Sequence, residues 1–241
     1  DRIAIIYGTG TIGMSSNGPT SIGGNHLAKA IRKARTDKKI KAIVFRVNSP
    51  GGNVLASDII RREVELAAEA KPLIISMGDY AASGGYWIST PADMIMAEKT
   101  TLTGSIGVFG LWPNVGELVT DKIGLKFDGV QTNKMSDMGS MYRPLRPEER
   151  QIIQSQIEDT YKKFITKVAN DRDMEVSEVA KIGEGRVWSG KDALEIGLID
   201  EFGGLQAAIE WAAKEAGLEN YKTRELPFLK DPLDEILEQL L

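Results

Sequence analysis

Apolar positions recur along the chain with two periods. Short β-branched or apolar runs, at 2–7, 40–47, 73–77 and 94–97, alternate with stretches in which apolar residues return every three or four positions, foremost 54–70. That alternation predicts βα units around a largely parallel sheet, an α/β fold. A further strand is expected over 125–130. Asn114 with Glu117 three residues on predicts an N-capped helix, and Pro147 followed by Glu148 and Glu149 predicts the start of a long one. Ser189 with Asp192 marks a shorter helix, and 205–216 reads as amphipathic. No linker composition interrupts the pattern. Residues 1–220 are therefore expected to form one domain, followed by a tail over 221–241 with a strand-like segment and a short helix. The chain opens directly on a strand-like segment with no signal-peptide pattern, and so reads as a fragment whose upstream part is missing.

Three of the strand-like runs lead into clusters of glycine and serine: Asn48-Ser49-Pro50-Gly51-Gly52-Asn53, Ala81-Ala82-Ser83-Gly84-Gly85, and Leu102-Thr103-Gly104-Ser105-Ile106-Gly107. Each cluster lies just past the carboxyl end of a strand, where α/β sheets gather their ligand-binding loops, so the three are expected to converge. Small neighbours allow Ser83 to occupy a tight strand-to-helix turn with its hydroxyl exposed, as a nucleophile requires. Alone, such a segment more often serves close helix–sheet packing. Gly51 and Gly52 offer amides that a carbonyl oxygen can approach with no Cβ in the way, just before a predicted helix. One of them, with the amide of Gly84, would make an oxyanion hole. Alone, Ser-Pro-Gly-Gly is commonly an ordinary turn; its pairing with Ser83 favours the functional reading.

Composition narrows the chemistry. In 241 residues there are 30 basic and 34 acidic side chains, a net charge of -4 with no basic field for a phosphate backbone, so nucleic acid is not an expected ligand. The hydrophobic share of 42% and charged share of 27% match a packed globular chain. No apolar stretch approaches the roughly 20 residues of a membrane span, so the chain itself is expected to be soluble. The absence of cysteine removes disulfides, thiolate catalysis and sulfur-ligated metals. No cofactor motif and no metal set is present. The single histidine, His26, precedes a helical segment and is expected to be exposed or near a helix cap, and Asp79 to be a turn residue, so a Ser-His-Asp arrangement is not the expected one.

The three clusters, in order and spacing, with Tyr86-Trp87-Ile88-Ser89-Thr90 after the second, Gly185-Arg186-Val187-Trp188-Ser189-Gly190 and Gly197-Leu198-Ile199-Asp200 further on, resemble the signal peptide peptidase A (protease IV) family. The similarity runs through nearly the whole chain and is closest to the C-terminal, serine-bearing half of the long, tandem-repeat members. It implies a Clp protease/crotonase-like spiral of ββα units with a helical C-terminal covering region. It also implies a serine endopeptidase with a Ser-Lys dyad, acting on remnant signal peptides and other extended apolar peptides. A homo-oligomer is implied, as is cell-membrane association through a segment absent from this chain, with the active domain outside the cytoplasm. On this resemblance Ser83 is the nucleophile, and Ser105 helps to hold the lysine.

Short members of the family carry the lysine downstream of the nucleophile at a strand-to-loop junction, a position that Lys134 fits, within the loop 133–146. Long members take it from the N-terminal half. A lysine ammonium with a pKa of about 10.4 cannot accept a serine proton at neutral pH, so the base has to be desolvated among apolar groups and away from carboxylates. Met135 and Met138 suit that setting, whereas Asp137 pointing inward would oppose it. Two other readings stay open: a non-catalytic or half-site assembly module that needs another half for its lysine, and an acyl-CoA-binding crotonase-like protein, which uses a similar glycine oxyanion hole without a serine nucleophile.

Overall fold

The structure of the chain, a computed structural model, describes residues 1–15, 18 and 20–226. In chain order the elements are β1 (Arg2–Thr9), β2 (Thr11–Gly13), β3 (Ser21–Gly23), α1 (Gly24–Thr36), β4 (Ile40–Ser49), α2 (Val54–Ala68), β5 (Leu73–Ala82), α3 (Gly84–Trp87), β6 (Met94–Ala97) and β7 (Leu102–Gly104). There follow a π-type turn (Leu118–Lys122), α4 (Pro147–Arg172), α5 (Val176–Ile182), β8 (Val187–Ser189), α6 (Gly190–Glu195), β9 (Glu201–Phe202), α7 (Leu205–Glu215) and β10 (Lys222–Leu226). The backbone divides into two compact units, Asp1–Gly107 with Ile165–Leu241, and Val108–Phe164.

The first unit is built on a parallel sheet in the order β10-β1-β4-β5-β6-β9, with β7 pairing both β5 and, in antiparallel fashion, β8. Its strands are near-continuous apolar runs because both faces are covered, as parallel sheets require. On one face Ile3, Ile5, Ala42, Val44, Ile74 and Met96 pack against Ala208, Ile209, Ala212 and Ala213 of α7. The buried stripes of α1 (Leu27, Ile31, Ala34) and α2 (Ile60, Val64, Ala67) belong to the other helical layer. Those two helices approach so closely that a Cβ on Gly24 would lie 2.9 Å from that of Ala56. A polar clamp reinforces α2. Arg61, almost fully buried, donates from Nη2 to both carboxylate oxygens of Asp171 in α4 at 2.8 and 2.6 Å, and Thr90 Oγ1 donates to the same carboxylate.

Several local signals appear where the sequence places them. α2 starts at Val54 after the first cluster, with Asn53 accepting the Ala56 amide at 2.9 Å, and Ser189 caps α6 by accepting that of Asp192 at 3.2 Å. Pro147 opens the 26-residue α4, and α7 covers the amphipathic segment. β5 runs further than expected, into the first two residues of the second glycine-serine cluster, as far as Ala82. The tail's strand is β10, which joins the main sheet beside β1, while the short helix expected after it lies outside the described residues.

The second unit departs from expectation. Residues 125–130 form no strand: their apolar side chains are exposed, Val130 at 99%, and no neighbouring strand among the described residues completes their hydrogen bonds. Phe127 instead stacks on Tyr142, with ring centroids 4.5 Å apart. Asn114 accepts the Gly116 amide at 3.0 Å, as an N-cap does, and the helix it opens is short, running over 116–122 and mostly of π type. The polar centre of this unit is Glu149, which accepts from both Nη atoms of Arg143 at 2.7 and 2.8 Å.

Candidate functional site

β5 delivers Ser83 at its carboxyl end in a conformation that side chains rarely adopt, φ 51 and ψ -118. Such backbone costs on the order of 1–3 kcal/mol and persists only where its surroundings over-determine it. Those surroundings are hydrogen bonds on either side: the Ser83 amide donates to the Gly104 carbonyl at 2.9 Å, and the Ser83 carbonyl accepts the Trp87 amide at 2.8 Å as α3 begins. The hydroxyl is half-buried and has no hydrogen-bond partner among the described residues.

The Pro-Gly-Gly loop between β4 and α2 lies directly against this turn. A Cβ on Gly51 would sit 2.5 Å from the Gly84 nitrogen and 2.9 Å from the Ser83 Cβ, and a Cβ on Gly84 would sit 3.2 Å from the Gly52 nitrogen. Only glycine permits this approach, and Gly51 also has φ 97. The loop's amides are not equivalent. Gly51 N–H donates to Ser49 Oγ at 3.1 Å, whereas Gly52 N–H and Gly84 N–H have no acceptor among the described residues. Of the two glycines the sequence offers, Gly52 is therefore the one whose amide stands free beside that of Gly84.

The third cluster joins the same place. Ser105 follows the Gly104 carbonyl that holds Ser83, has φ 49, and donates its own amide to the Arg186 carbonyl at 2.8 Å. The convergence expected of the three clusters is thus realised within one unit, with Ser83, Ser105, Gly51, Gly52 and Gly84 brought together. Lys134 belongs to the other unit. Its side chain is 67% exposed and its Nζ donates to Glu148 Oε1 at 2.8 Å. This ion pair holds the Glu148 carboxyl below its ordinary range. It is the reverse of the apolar, carboxylate-free setting expected of a base. Asp137 does not oppose Lys134 either, since it is tied to Arg143 at 2.8 Å. His26 is exposed in the first turn of α1, Asp79 is exposed on β5, and neither makes a side-chain hydrogen bond among the described residues.

Residues 65–219, a span that includes Ser83, Ser105 and Lys134, match peptidase family S49. The chain belongs to that family. Among S49 relatives, it is 48% identical over 220 residues to Protease 4 of Salmonella typhi, covering 91% of this chain and 35% of that protein. It is 42% identical over 224 residues to the chloroplastic serine protease SPPA of Arabidopsis thaliana, covering 90% and 33%. A putative protease of Synechocystis is 38% identical over 207 residues, covering 85% and 74%. The chain thus spans about a third of the length of the first two relatives. A ClpP1 mutant from Listeria monocytogenes superposes with a TM-score of 0.57 at 14% identity, covering 85% of this chain and 94% of that one. The fold is that of the Clp proteases.

Within this S49 chain the structure adds residues that sequence reasoning did not single out for the site. β8 braces the Ser105 loop: Gly104 pairs with Val187, Gly185 N–H donates to the Ile106 carbonyl at 2.9 Å, and a Cβ on Gly104 would meet the Trp188 ring at 2.9 Å. Trp188 is itself fixed by donating Nε1 to the Ile182 carbonyl at 3.0 Å. The Gly-Arg-Val-Trp-Ser-Gly string was visible as a motif, yet nothing local indicated what it would touch. Ser49 was visible only as part of the Ser-Pro-Gly-Gly string.

Proposed function

We propose that this chain carries the nucleophile of a serine peptidase, with Ser83 Oγ attacking the carbonyl carbon of an extended apolar peptide such as a remnant signal peptide. The observation that carries the reading is the strained Ser83 turn flanked by the two free amides of Gly52 and Gly84. In the first step the Ser83 hydroxyl proton passes to a lysine amine, the Oγ–C bond forms, and the carbonyl oxygen takes the negative charge between those amides. The lysine then returns the proton to the leaving amine as the C–N bond breaks. Water hydrolyses the resulting acyl-serine by the same route. Ser105, one residue from the carbonyl that holds Ser83, is placed to orient the lysine.

Within this chain the base is Lys134, which has to leave Glu148 and enter a desolvated setting in order to accept a proton. The exposed ion pair seen at Lys134 favours a second reading, in which this chain is a half-site and the lysine comes from another part of a longer protein. Homo-oligomer formation and membrane association belong to the same proposal. Among the described residues, no helix is long and apolar enough to cross a membrane. The test is labelling by a fluorophosphonate probe together with peptide hydrolysis. Ser83→Ala is expected to lose both while staying folded, and unchanged hydrolysis in that variant refutes the nucleophile. Lys134→Arg separates the bases, because guanidinium stays protonated. Loss of activity supports Lys134, and full activity assigns the base to another half.

A further inference from the structure

Ser49, the last residue of β4, is fully buried, and its hydroxyl makes two bonds. It donates to the Gly10 carbonyl at 2.7 Å and accepts the Gly51 amide at 3.1 Å. Gly10 forms the turn between β1 and β2, where φ is 95 and a Cβ would fall 1.8 Å from the Thr20 carbonyl oxygen, so this backbone packs directly on that of Thr20. Further bonds tie the same two segments: Gly10 N–H to the Asn48 carbonyl at 2.9 Å, Ile12 N–H to that of Gly51 at 2.8 Å, and Asn53 N–H to that of Ile12 at 2.8 Å. Pro50 has no N–H. Every other amide between Pro50 and Asn53 is therefore committed, and Gly52 N–H alone is left over, beside Gly84.

We infer that Ser49 is a positioning residue for the oxyanion site: its hydroxyl fixes the Gly51 peptide to the β1–β2 turn and so leaves Gly52 N–H as the loop's free donor. The inference rests on the peptidase reading of Ser83. A hydroxyl suits the task because it gives one hydrogen bond and accepts another at a single point. Removing it orphans the buried Gly51 N–H and the part-buried Gly10 C=O together. The Gly51 N–H is then free to turn toward another acceptor, and the Gly51–Gly52 peptide, held only through its carbonyl by Ile12 N–H, shifts with it and carries the Gly52 amide. On the other side the loop has little freedom, since the Ser49 carbonyl oxygen already lies 2.5 Å from where a Cβ on Gly85 would be.

Ser49 touches neither substrate nor reacting atoms, so its loss acts on the transition state through the Gly52 amide. The experiment compares Ser49→Ala with wild type in the complete protein, measuring kcat and KM on a peptide substrate, affinity for a peptide aldehyde that forms a tetrahedral adduct with serine, and thermal unfolding. A well-placed oxyanion donor contributes up to about 100- to 1,000-fold in kcat, and displacing one is expected to cost about 10- to 100-fold. KM should stay within about twofold while aldehyde affinity falls in parallel with kcat, a split that general loosening of the fold does not produce. Unchanged kcat in folded Ser49→Ala, or a loss confined to KM, overturns the inference. Should Ser49→Ala not fold, Ser49→Cys, with its weaker donor, makes the same comparison, and wild-type kcat there overturns it equally. Ser83→Ala is run alongside. If it still hydrolyses peptide, the peptidase reading has failed and this inference with it. If it is inactive while Ser49→Ala keeps full kcat, only the positioning role has failed.

Discussion

Replacing Gly51 by alanine tests the contact between the Pro-Gly-Gly loop and the Ser83 turn most directly. Two costs can be worked from the structure. Gly51 has φ 97, which an L-residue occupies at about 1–3 kcal/mol. The added methyl would also lie 2.5 Å from the Gly84 nitrogen, 2.9 Å from the Ala82 carbonyl oxygen and 2.9 Å from the Ser83 Cβ. Ordinary contacts begin near 3.5 Å, so either the Gly84 amide or the loop has to move by roughly 1 Å, at an overpacking cost of about 1–3 kcal/mol. The sum, about 2–6 kcal/mol, corresponds to a fall in Tm of roughly 4–24 °C for a chain of this size. A displacement of about 1 Å at an oxyanion donor is expected to lower kcat/KM about 100-fold. Gly197→Ala is the control: its φ is 79 but nothing lies within 4 Å of the added Cβ, so it should show the backbone cost of about 1–2 kcal/mol and wild-type turnover. Thermal unfolding followed by circular dichroism, with kcat/KM on a peptide substrate, reads both quantities. If Gly51→Ala melts no lower than Gly197→Ala and turns over at the wild-type rate, the argument from close approach is wrong.

Two further outcomes follow from charged groups outside the site. Arg61→Ala strands the Asp171 carboxylate in a partly buried position and is expected to cost about 3–5 kcal/mol in urea unfolding; a loss below about 1 kcal/mol would mean that the clamp between α2 and α4 carries little of the stability. Glu149 is pushed down to about 2 chiefly by its hydrogen bonds from Arg143. A lowered carboxyl pKa gives stability that is complete above the ordinary value of 4.5 and is lost as pH falls through about 2. The stability advantage of wild type over Glu149→Gln should therefore shrink steadily between those limits in acid-unfolding curves, and a constant gap across that range would refute the assignment.

What the chain determines locally can be read without the structure, because the partners lie within a few positions of one another. Ser189 caps α6 through the Asp192 amide, the helix after the first cluster starts at Val54, and the runs at 40–47 and 73–77 are apolar enough to be strands covered on both faces. The three glycine-serine clusters were recognisable for the same reason, since each is a short backbone motif whose small residues permit one kind of turn. Partners remote in sequence were not legible. Gly51 and Gly52 are equivalent as letters; the Gly51 amide goes to Ser49 Oγ two residues away, but the Gly10 carbonyl that takes the hydroxyl's own proton is remote in sequence. The run at 125–130 has strand-forming residues but acquires no neighbour to pair with among the described residues, and a strand exists only through its partner. Lys134 has the same side chain in any setting, yet its chemistry depends on whether apolar atoms or a carboxylate surround the ammonium, and tertiary structure places Glu148 there. Hydrogen bonds and desolvation act between groups that are close in space, so they are decided where the fold brings distant positions together.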